Sequence, residues 1–272
     1  MKKSILFAFV LIFLVGTSSL ALERFDIVTT EQMKQMLDDR AAGKTDFILV
    51  NSLDEIIFRS ASIPGSINLP WYRAKETASR LGEDKDKLII TYWMGYRWVF
   101  AYKTAVAVKE LGYRNIKIYN GGIKDWKKSN YELDVIEALP DVKFQFITSD
   151  ELLEKINQAE TGACQEQNGK NVLTILDLRT EHFLNPQKPL SYVRSNCRTI
   201  NSLFDQLADA EIRSQIPKEG LVVTITETGN RDKYAMQFLS KFGYTNVMGL
   251  QFGMRGWIKQ NYPQVTRQWG VQ

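Results

Sequence analysis

The stretch that decides the fold is Leu111-Gly-Tyr-Arg-Asn-Ile-Lys-Ile-Tyr-Asn-Gly-Gly-Ile-Lys-Asp-Trp126, because the chain repeats it as Phe242-Gly-Tyr-Thr-Asn-Val-Met-Gly-Leu-Gln-Phe-Gly-Met-Arg-Gly-Trp257. Upstream, Gly95 and Arg97 recur as Gly229 and Arg231 at a slightly larger spacing. Matches in the same order with shifting spacing are typical of two related units that differ by loop insertions. The unit is far longer than a solenoid repeat, so we predict two tandem domains, at residues 22–138 and 142–265.

Each unit alternates short apolar runs, bounded by turn residues, with patterns of helical period. The predicted strands are Phe47–Val50, Leu88–Thr91 and Asn115–Tyr119 in the first unit, and Val172–Leu176, Leu221–Ile225 and Asn246–Leu250 in the second. Predicted helices span Trp98–Leu111 and Asp232–Phe242, with further helix starts near Thr30 and Thr148. This alternation predicts an α/β fold in which each domain has a mainly parallel central sheet flanked by helices.

A short loop ending in Gly-x-Arg lies between a β-type run and a helix in each unit. The first loop consists of Tyr92, Trp93, Met94, Gly95, Tyr96 and Arg97. The second consists of Thr226, Glu227, Thr228, Gly229, Asn230 and Arg231. Backbone N–H groups that curl at a helix N-terminus can hold an anion or lower the pKa of a thiol. Neither loop contains a cysteine, so the cradle is present twice and the nucleophile is absent twice.

The order of motifs resembles the tandem rhodanese (thiosulfate sulfurtransferase-like) family over nearly all of residues 25–264. The resemblance rests on the two loops and on four motifs: Ser62-Ile-Pro-Gly-Ser-Ile-Asn-Leu-Pro70, Gly121-Gly-Ile-Lys-Asp-Trp126, Leu176-Asp-Leu-Arg179 and Gly253-Met-Arg-Gly-Trp257. The resemblance implies two rhodanese-like domains. It also implies transfer of sulfur from thiosulfate or a persulfide to a thiophilic acceptor.

In active relatives, the resemblance implies, a cysteine stands five positions before the loop arginine. Those positions are Tyr92 and Thr226 here, and neither side chain can carry a persulfide. We therefore expect both domains to be degenerate. The Asp and Arg usual after an early strand are Asn51 and Leu53 in the first unit, whereas Asp177 and Arg179 keep the pattern in the second.

Two features of the loops leave alternatives open. Residues Thr226 to Arg231 could bind sulfate, phosphate or a sulfur oxyanion; alternatively, Arg231 is tied to a carboxylate such as Asp177. The aromatic side chains of Tyr92, Trp93 and Tyr96, with those that follow, could form a partner surface. Alternatively, they fill the space of a former catalytic pocket.

Cys164 and Cys197 are the chain's two cysteines, and they also allow two interpretations. An oxidising compartment would favour a disulfide between them. Alternatively, Cys197 is a relocated nucleophile whose pKa is lowered by Arg194 and Arg198. His182 has no nucleophile placed beside it by the sequence and is expected to lie at the surface.

The N-terminus has the pattern of a secretory signal peptide, residues 1–21. Basic Lys2 and Lys3 precede the apolar run from Ile5 to Val15, and small residues Ser19 and Ala21 fit a cleavage site. The apolar run is short for a membrane span, although an uncleaved anchor is the alternative. We expect a periplasmic protein with no membrane span after cleavage.

The composition excludes several function classes. With 44% hydrophobic and 24% charged residues, the chain is typical of a packed globular protein. The net charge of +4 falls to +2 without Lys2 and Lys3, which gives no support for a nucleic-acid partner. One histidine and two cysteines do not suggest a metal site, and no cofactor is expected.

The sequence thus predicts an exported, catalytically inactive binding or scaffolding module whose partner is an envelope protein or a small oxyanion. The alternative is a sulfurtransferase-type enzyme that uses Cys197. A third interpretation, a purely structural partner in an envelope complex, predicts an exposed aromatic patch.

Overall fold

The computed structural model describes residues 24–96, 99–166, 168–180 and 188–267. The predicted signal peptide, Arg97, Trp98 and His182 lie outside the described residues. Within the described part, no helix has the length and apolar character needed to cross a bilayer.

The first half of the chain forms a five-stranded, fully parallel sheet. Its strands are β1 (Asp26–Val28), β2 (Ile48–Asn51), β3 (Ser66–Asn68), β4 (Ile89–Tyr92) and β5 (Ile116–Tyr119). Their order across the sheet is β1-β5-β4-β2-β3. Buried β2 and β4 are apolar throughout except for Asn51 and Thr91, as expected for central strands of a parallel sheet.

The second half builds the same sheet again. Its strands are β6 (Phe146–Ile147), β7 (Leu173–Asp177), β9 (Arg198–Asn201), β10 (Leu221–Ile225) and β11 (Val247–Leu250), in the order β6-β11-β10-β7-β9. The two orders are equivalent strand for strand. A separate antiparallel pair, β8 (Leu190–Val193) and β12 (Gln264–Arg267), is found only in the second half of the described chain.

Helices flank both sheets. They are α1 (Thr30–Ala41), α2 (Glu55–Ser60), α3 (Val99–Glu110), α4 (Gly122–Lys128), α5 (Ser149–Thr161), α6 (Ala210–Ser214), α7 (Asp232–Ser240) and α8 (Gly253–Lys259). Short 3₁₀ segments lie at Trp71–Arg73, Ala78–Leu81 and Phe204–Ala208. Capping boxes begin α1 at Thr29 and α5 at Thr148, which satisfies backbone N–H groups that the first helical turn leaves unpaired.

The α/β fold predicted from the sequence is confirmed, and each predicted strand lies within one residue of an observed one. The edge strands β1, β3 and β6 were not predicted, because two or three residues are too few to show a period. The edge strand β9 and the pair β8 and β12 were not predicted either, and each of the three has only four residues. The helix expected to start at Thr30 has its cap one residue earlier, at Thr29.

Equivalent tryptophans anchor the two halves in the same way. Trp126 and Trp257 are both buried, and each indole N–H donates to a backbone carbonyl six residues ahead, on Glu132 at 2.7 Å and on Pro263 at 2.8 Å. The repeat read from the sequence is therefore a repeat of packing as well.

The two halves also share a core. One buried hydrophobic cluster includes Leu53 and Ile57 of the first half with Met236 and Leu239 of α7. The Gln237 amide donates to the carbonyl of Pro140 at 2.9 Å. Helix α7 therefore packs against the first half as well as against its own sheet.

Candidate functional site

The first loop opens with a tyrosine that belongs to the core. Tyr92 ends β4 and is fully buried. Its hydroxyl accepts a hydrogen bond from the Ile63 N–H at 2.9 Å and shares another with the Ser66 hydroxyl at 2.8 Å. Burial raises its pKa to about 12, although its hydrogen bonds act in the opposite direction. Tyr92 thus ties the loop to the turn before β3 and offers no nucleophile.

Strand register changes which residues of the two loops are equivalent. In the first sheet Ile89 aligns with Ile116, and in the second Val222 aligns with Val247. Carried to the loops, this register matches Thr226 with Trp93 and not with Tyr92. Backbone bonds agree, since Ile123 N donates to the Trp93 carbonyl and Met254 N to that of Thr226, both at 3.0 Å. The first loop is therefore one residue shorter than the second, and counting back from the arginine selected Tyr92 because it ignored this deletion.

Aromatic side chains surround the start of the first loop. Trp93 is buried, and its ring centroid lies 5.1 Å from that of Phe100. Tyr96 is instead 55% exposed. The structure therefore splits the aromatic group of the sequence analysis: Tyr92 and Trp93 fill the core, and Tyr96 faces solvent.

A glycine in each half brings a helix start close to its loop. Gly122 and Gly253 have φ values of +58° and +57°. A Cβ on either would lie 2.2 Å from the carbonyl oxygen of Trp93 or Thr226. Only glycine allows this approach together with a left-handed backbone. This explains why a Gly at this position recurs in both copies of the repeated stretch.

A hydrogen bond to the hydroxyl of Thr226 closes the second loop. Thr226 is buried, and its Oγ1 accepts a hydrogen bond from the Gly229 N–H at 3.1 Å. Of the predicted oxyanion-binding residues, Thr226, Gly229 and Arg231 are buried and Glu227 is largely covered. Thr228 is half-buried and Asn230 is exposed.

Arg231 is bound by two carboxylates, one from each half of the chain. One terminal nitrogen donates to both oxygens of Asp54 at 2.8 Å. The other donates to Glu227 Oε2 at 2.5 Å and to the Leu178 carbonyl at 3.3 Å. The second Glu227 oxygen accepts from the backbone and the hydroxyl of Thr180, at 2.9 and 2.7 Å. The arginine is 5% exposed, so its charge is neutralised inside the protein.

The carboxylate suggested in advance for Arg231 has another partner. Asp177 makes a bidentate pair with Arg179, with nitrogen–oxygen distances of 2.8–3.1 Å. Both side chains are almost fully buried. Asp177 and Arg179 are two residues apart, so Asp177 pairs with its neighbour in the sequence and not with the distant Arg231.

Asp205, and not the N-cap residue Asp54, accepts a backbone N–H at the start of α2. Asp54 is at the N-cap position of α2, yet its carboxylate makes no capping bond because it faces Arg231. Asp205, from the second half, accepts the Ile56 N–H of α2 at 3.1 Å instead. The Tyr72 hydroxyl lies 2.9 Å from Asp54 and 3.0 Å from Asp205 and links the two.

Carboxylates outnumber cations in this buried cluster, and their pKa values reflect it. Burial, followed by the charge of Asp54, raises the pKa of Asp205 to about 7. Burial would also raise the pKa of Glu227, but Arg231 and Thr180 outweigh it and lower that pKa. Sequence motifs gave no signal for Asp54, Tyr72 or Asp205, because only the packing of the two halves brings them together.

Cys164 and Cys197 are joined by a disulfide, with Cα atoms 5.3 Å apart. The bond connects the segment after α5 to the turn before β9. Cys197 therefore carries no free thiolate in this state, which removes the basis for a relocated nucleophile. Among the described residues, no group of His, Cys, Asp and Glu side chains is arranged to hold a metal ion.

Comparison with known proteins identifies one part of the chain. Residues 29–129 match the family model of the rhodanese-like domain. No curated protein matches the chain significantly. Among solved structures, a Bacillus halodurans protein is 27% identical over 41% of this chain and 77% of its own, with a TM-score of 0.36. Thiosulfate sulfurtransferase from Pseudomonas aeruginosa is 17% identical over 91% of this chain and 45% of its own, with a TM-score of 0.38.

The second parallel sheet, with its equivalent strand order, is consistent with a second domain of the same kind. Strands β2 to β5 of the first sheet lie within the residues that the family model matches, and β1 lies just before them. Residues 29–129 are therefore a rhodanese-like domain.

Proposed function

We propose that this protein is a binding module on a tandem rhodanese-like scaffold that has lost sulfurtransferase chemistry. The observation that carries the proposal is the state of the two positions where a nucleophile would stand. Trp93 and Thr226 are 3% and 1% exposed. One packs against an aromatic ring and the other closes its loop by a hydrogen bond. Neither position presents a reactive atom to solvent.

The charge pattern of the second loop supports the same proposal. A sulfurtransferase loop needs positive potential where a thiolate and a sulfur oxyanion develop. Here Glu227 lies within the loop, and Asp54 covers the other side of the arginine. An oxyanion in the loop would have to displace a buried carboxylate. If the protein binds an anion, we therefore place the site at the outward edge of the loop, near Thr228 and Asn230.

The proposed setting is the periplasm. The signal-like N-terminus motivates this, and the disulfide supports it because such bonds persist in oxidising compartments. The proposed partner is an envelope protein or a small anion.

A sulfur-transfer assay from thiosulfate to cyanide on the mature, oxidised protein tests the loss of chemistry. We expect no turnover above the buffer blank. A Thr226→Cys variant should also be inactive, because burial and the Glu227 carboxylate would hold the thiol pKa up. Turnover by the oxidised wild-type protein would overturn the proposal.

The reduced protein provides a second arm of the same assay. Reduction frees Cys197, so any turnover that appears with a reductant can be attributed by comparing the wild type with Cys197→Ser. We expect both to remain at the blank. Activity that depends on reduction and is lost in Cys197→Ser would establish the enzyme alternative.

A further inference from the structure

An open cleft of about 810 Å³ lies where the two halves meet on the loop side. Tyr96 and Lys124 line it from the first half, and Asn230, Phe252, Arg255 and Lys259 from the second. Its volume falls in the range of small-molecule sites, about 300–1,000 Å³. It lies outside the buried Arg231 cluster, and the former nucleophile positions do not line it.

The cleft is built from equivalent residues of the repeat. Lys124 and Arg255 occupy matching positions in the repeated stretch, and Tyr96 and Asn230 both precede the loop arginine. Each N–H of the first pair donates to its own loop, to the carbonyls of Met94 and Glu227. The pseudo-symmetry of the chain therefore directs two cations toward one space, and neither half forms the cleft alone.

The walls are positively charged. Lys124, Arg255 and Lys259 make no ion pair within the described residues, and no acidic side chain lines the cleft. Beside it, burial and the charges of Lys124 and Lys127 lower the pKa of Lys233. Acidic groups lie near Tyr96, whose pKa is raised by a hydrogen bond with Asp125 and, to a smaller extent, by the charge of Glu31. The lining of the cleft itself therefore carries cations and no carboxylate.

Phe252 is the least expected residue of the cleft. It has φ +63°, a left-handed conformation that bulky residues avoid, and its side chain is 66% exposed. The equivalent residue in the first half is Gly121, with φ −64°. A Cβ at Gly256 would lie 2.7 Å from that of Phe252, so a glycine makes room for the ring. Neither packing nor turn geometry requires this phenylalanine, whereas a bound ligand would.

We propose that this cleft binds a small aromatic anion, such as an aryl carboxylate or sulfonate. The proposal deepens the binding function proposed above and rests on it. Guanidinium and ammonium groups recognise the anionic group. The Tyr96 and Phe252 rings provide faces for an aromatic body. A simple inorganic anion would satisfy the cations but leave both rings in water.

Isothermal titration of the mature protein with 2-naphthalenesulfonate tests the proposal, with sulfate and uncharged 2-naphthalenemethanol as comparison ligands. We expect one saturable site per chain for the sulfonate and much weaker binding of the other two. The double variant Lys124→Gln/Arg255→Gln should weaken binding about tenfold, because each partly exposed charge contributes modestly. Lys155→Gln, on an exposed face of α5, should bind as the wild type does.

Phe252→Gly separates a binding role from a structural one. Glycine adopts φ +63° without strain, so the variant should melt at a higher temperature than the wild type while binding about tenfold more weakly. Phe144→Gly, at another exposed aromatic position, is the matched control and should leave binding unchanged. Absence of saturable binding, or wild-type affinity in both cleft variants, would overturn the cleft proposal. Sulfur transfer by the protein would overturn the proposed function instead, so the two failures are distinguishable.

Discussion

The two loops occupy equivalent places in their sheets, yet the space beside each loop is filled by different physical means. In the first loop, aromatic rings occupy it: Tyr92 and Trp93 are buried and packed against neighbouring rings. In the second loop, buried ion pairs occupy this space: Arg231 is held between the carboxylates of Asp54 and Glu227. Two loops at equivalent places in the fold are therefore stabilised in different ways. The first solution depends on packing and hydrogen bonds, and the second on electrostatics, so they should respond differently to mutation and pH.

The largest expected effect is that of removing the cation of the second loop. Arg231→Met would leave Asp54 and Glu227 buried without their partner, which typically destabilises a protein by about 3–5 kcal/mol. Chemical denaturation at pH 7 measures it. The control Arg59→Met removes a half-exposed pair with Glu137 and should cost under about 1 kcal/mol. An equally small loss of stability for both variants would contradict the claim that the ion pairs of Arg231 stabilise the second loop.

The pH dependence of stability should originate in the second half as well. The folded-state pKa of Asp205 is raised to about 7, well above its unfolded value, so the folded state binds the extra proton between about pH 4 and 7. Stability contributed at this residue is therefore greatest at low pH and falls as pH rises through that window, by up to about 4 kcal/mol.

Asp205→Asn isolates this contribution. The difference in unfolding free energy between the variant and the wild type should shift in favour of the variant between pH 4 and 8. Denaturation curves at several pH values measure it. A difference that stays constant across the range would contradict the prediction.

A smaller effect is expected at the first loop. Tyr92→Phe keeps the ring but leaves the buried Ile63 N–H without its acceptor, which costs about 1–3 kcal/mol. The loss should be independent of pH below about pH 10, since burial raises the pKa of the tyrosine to about 12. Ser66→Ala removes the other hydrogen bond of the hydroxyl and should cost less. If the stability lost in Tyr92→Phe depended strongly on pH, the claim that the first loop is stabilised by packing and hydrogen bonds would be contradicted.

Much of the architecture could be predicted from the sequence, because central strands of a parallel sheet are long apolar runs and the repeat supplied each prediction twice. The loops could also be located from their Gly-x-Arg endings. Their internal register could not, since a one-residue deletion between Tyr92 and Arg97 leaves no mark in a motif counted from one end. Strand pairing was needed to align Trp93 with Thr226.

The partners of the loop arginine illustrate the other limit of sequence reasoning. Asp54 lies 177 positions from Arg231 and in the other half of the chain. No periodicity or spacing connects residues so far apart, whereas the Asp177–Arg179 pair is local. The exposed Phe252 was visible in the sequence as the residue that replaces Gly121, but its left-handed backbone became evident only in three dimensions.

The contact between Asp54 and Arg231 makes the first half, in effect, a tethered ligand of the second. A group on the same chain competes at an effective concentration far above that of a free solute, of millimolar order or higher for flexible linkage. Asp54 is fixed by α2 and by the shared core, so its advantage over a dissolved anion is larger still. Free oxyanions in solution therefore compete for Arg231 against a carboxylate that the fold holds in place, and the two halves should unfold in a single transition.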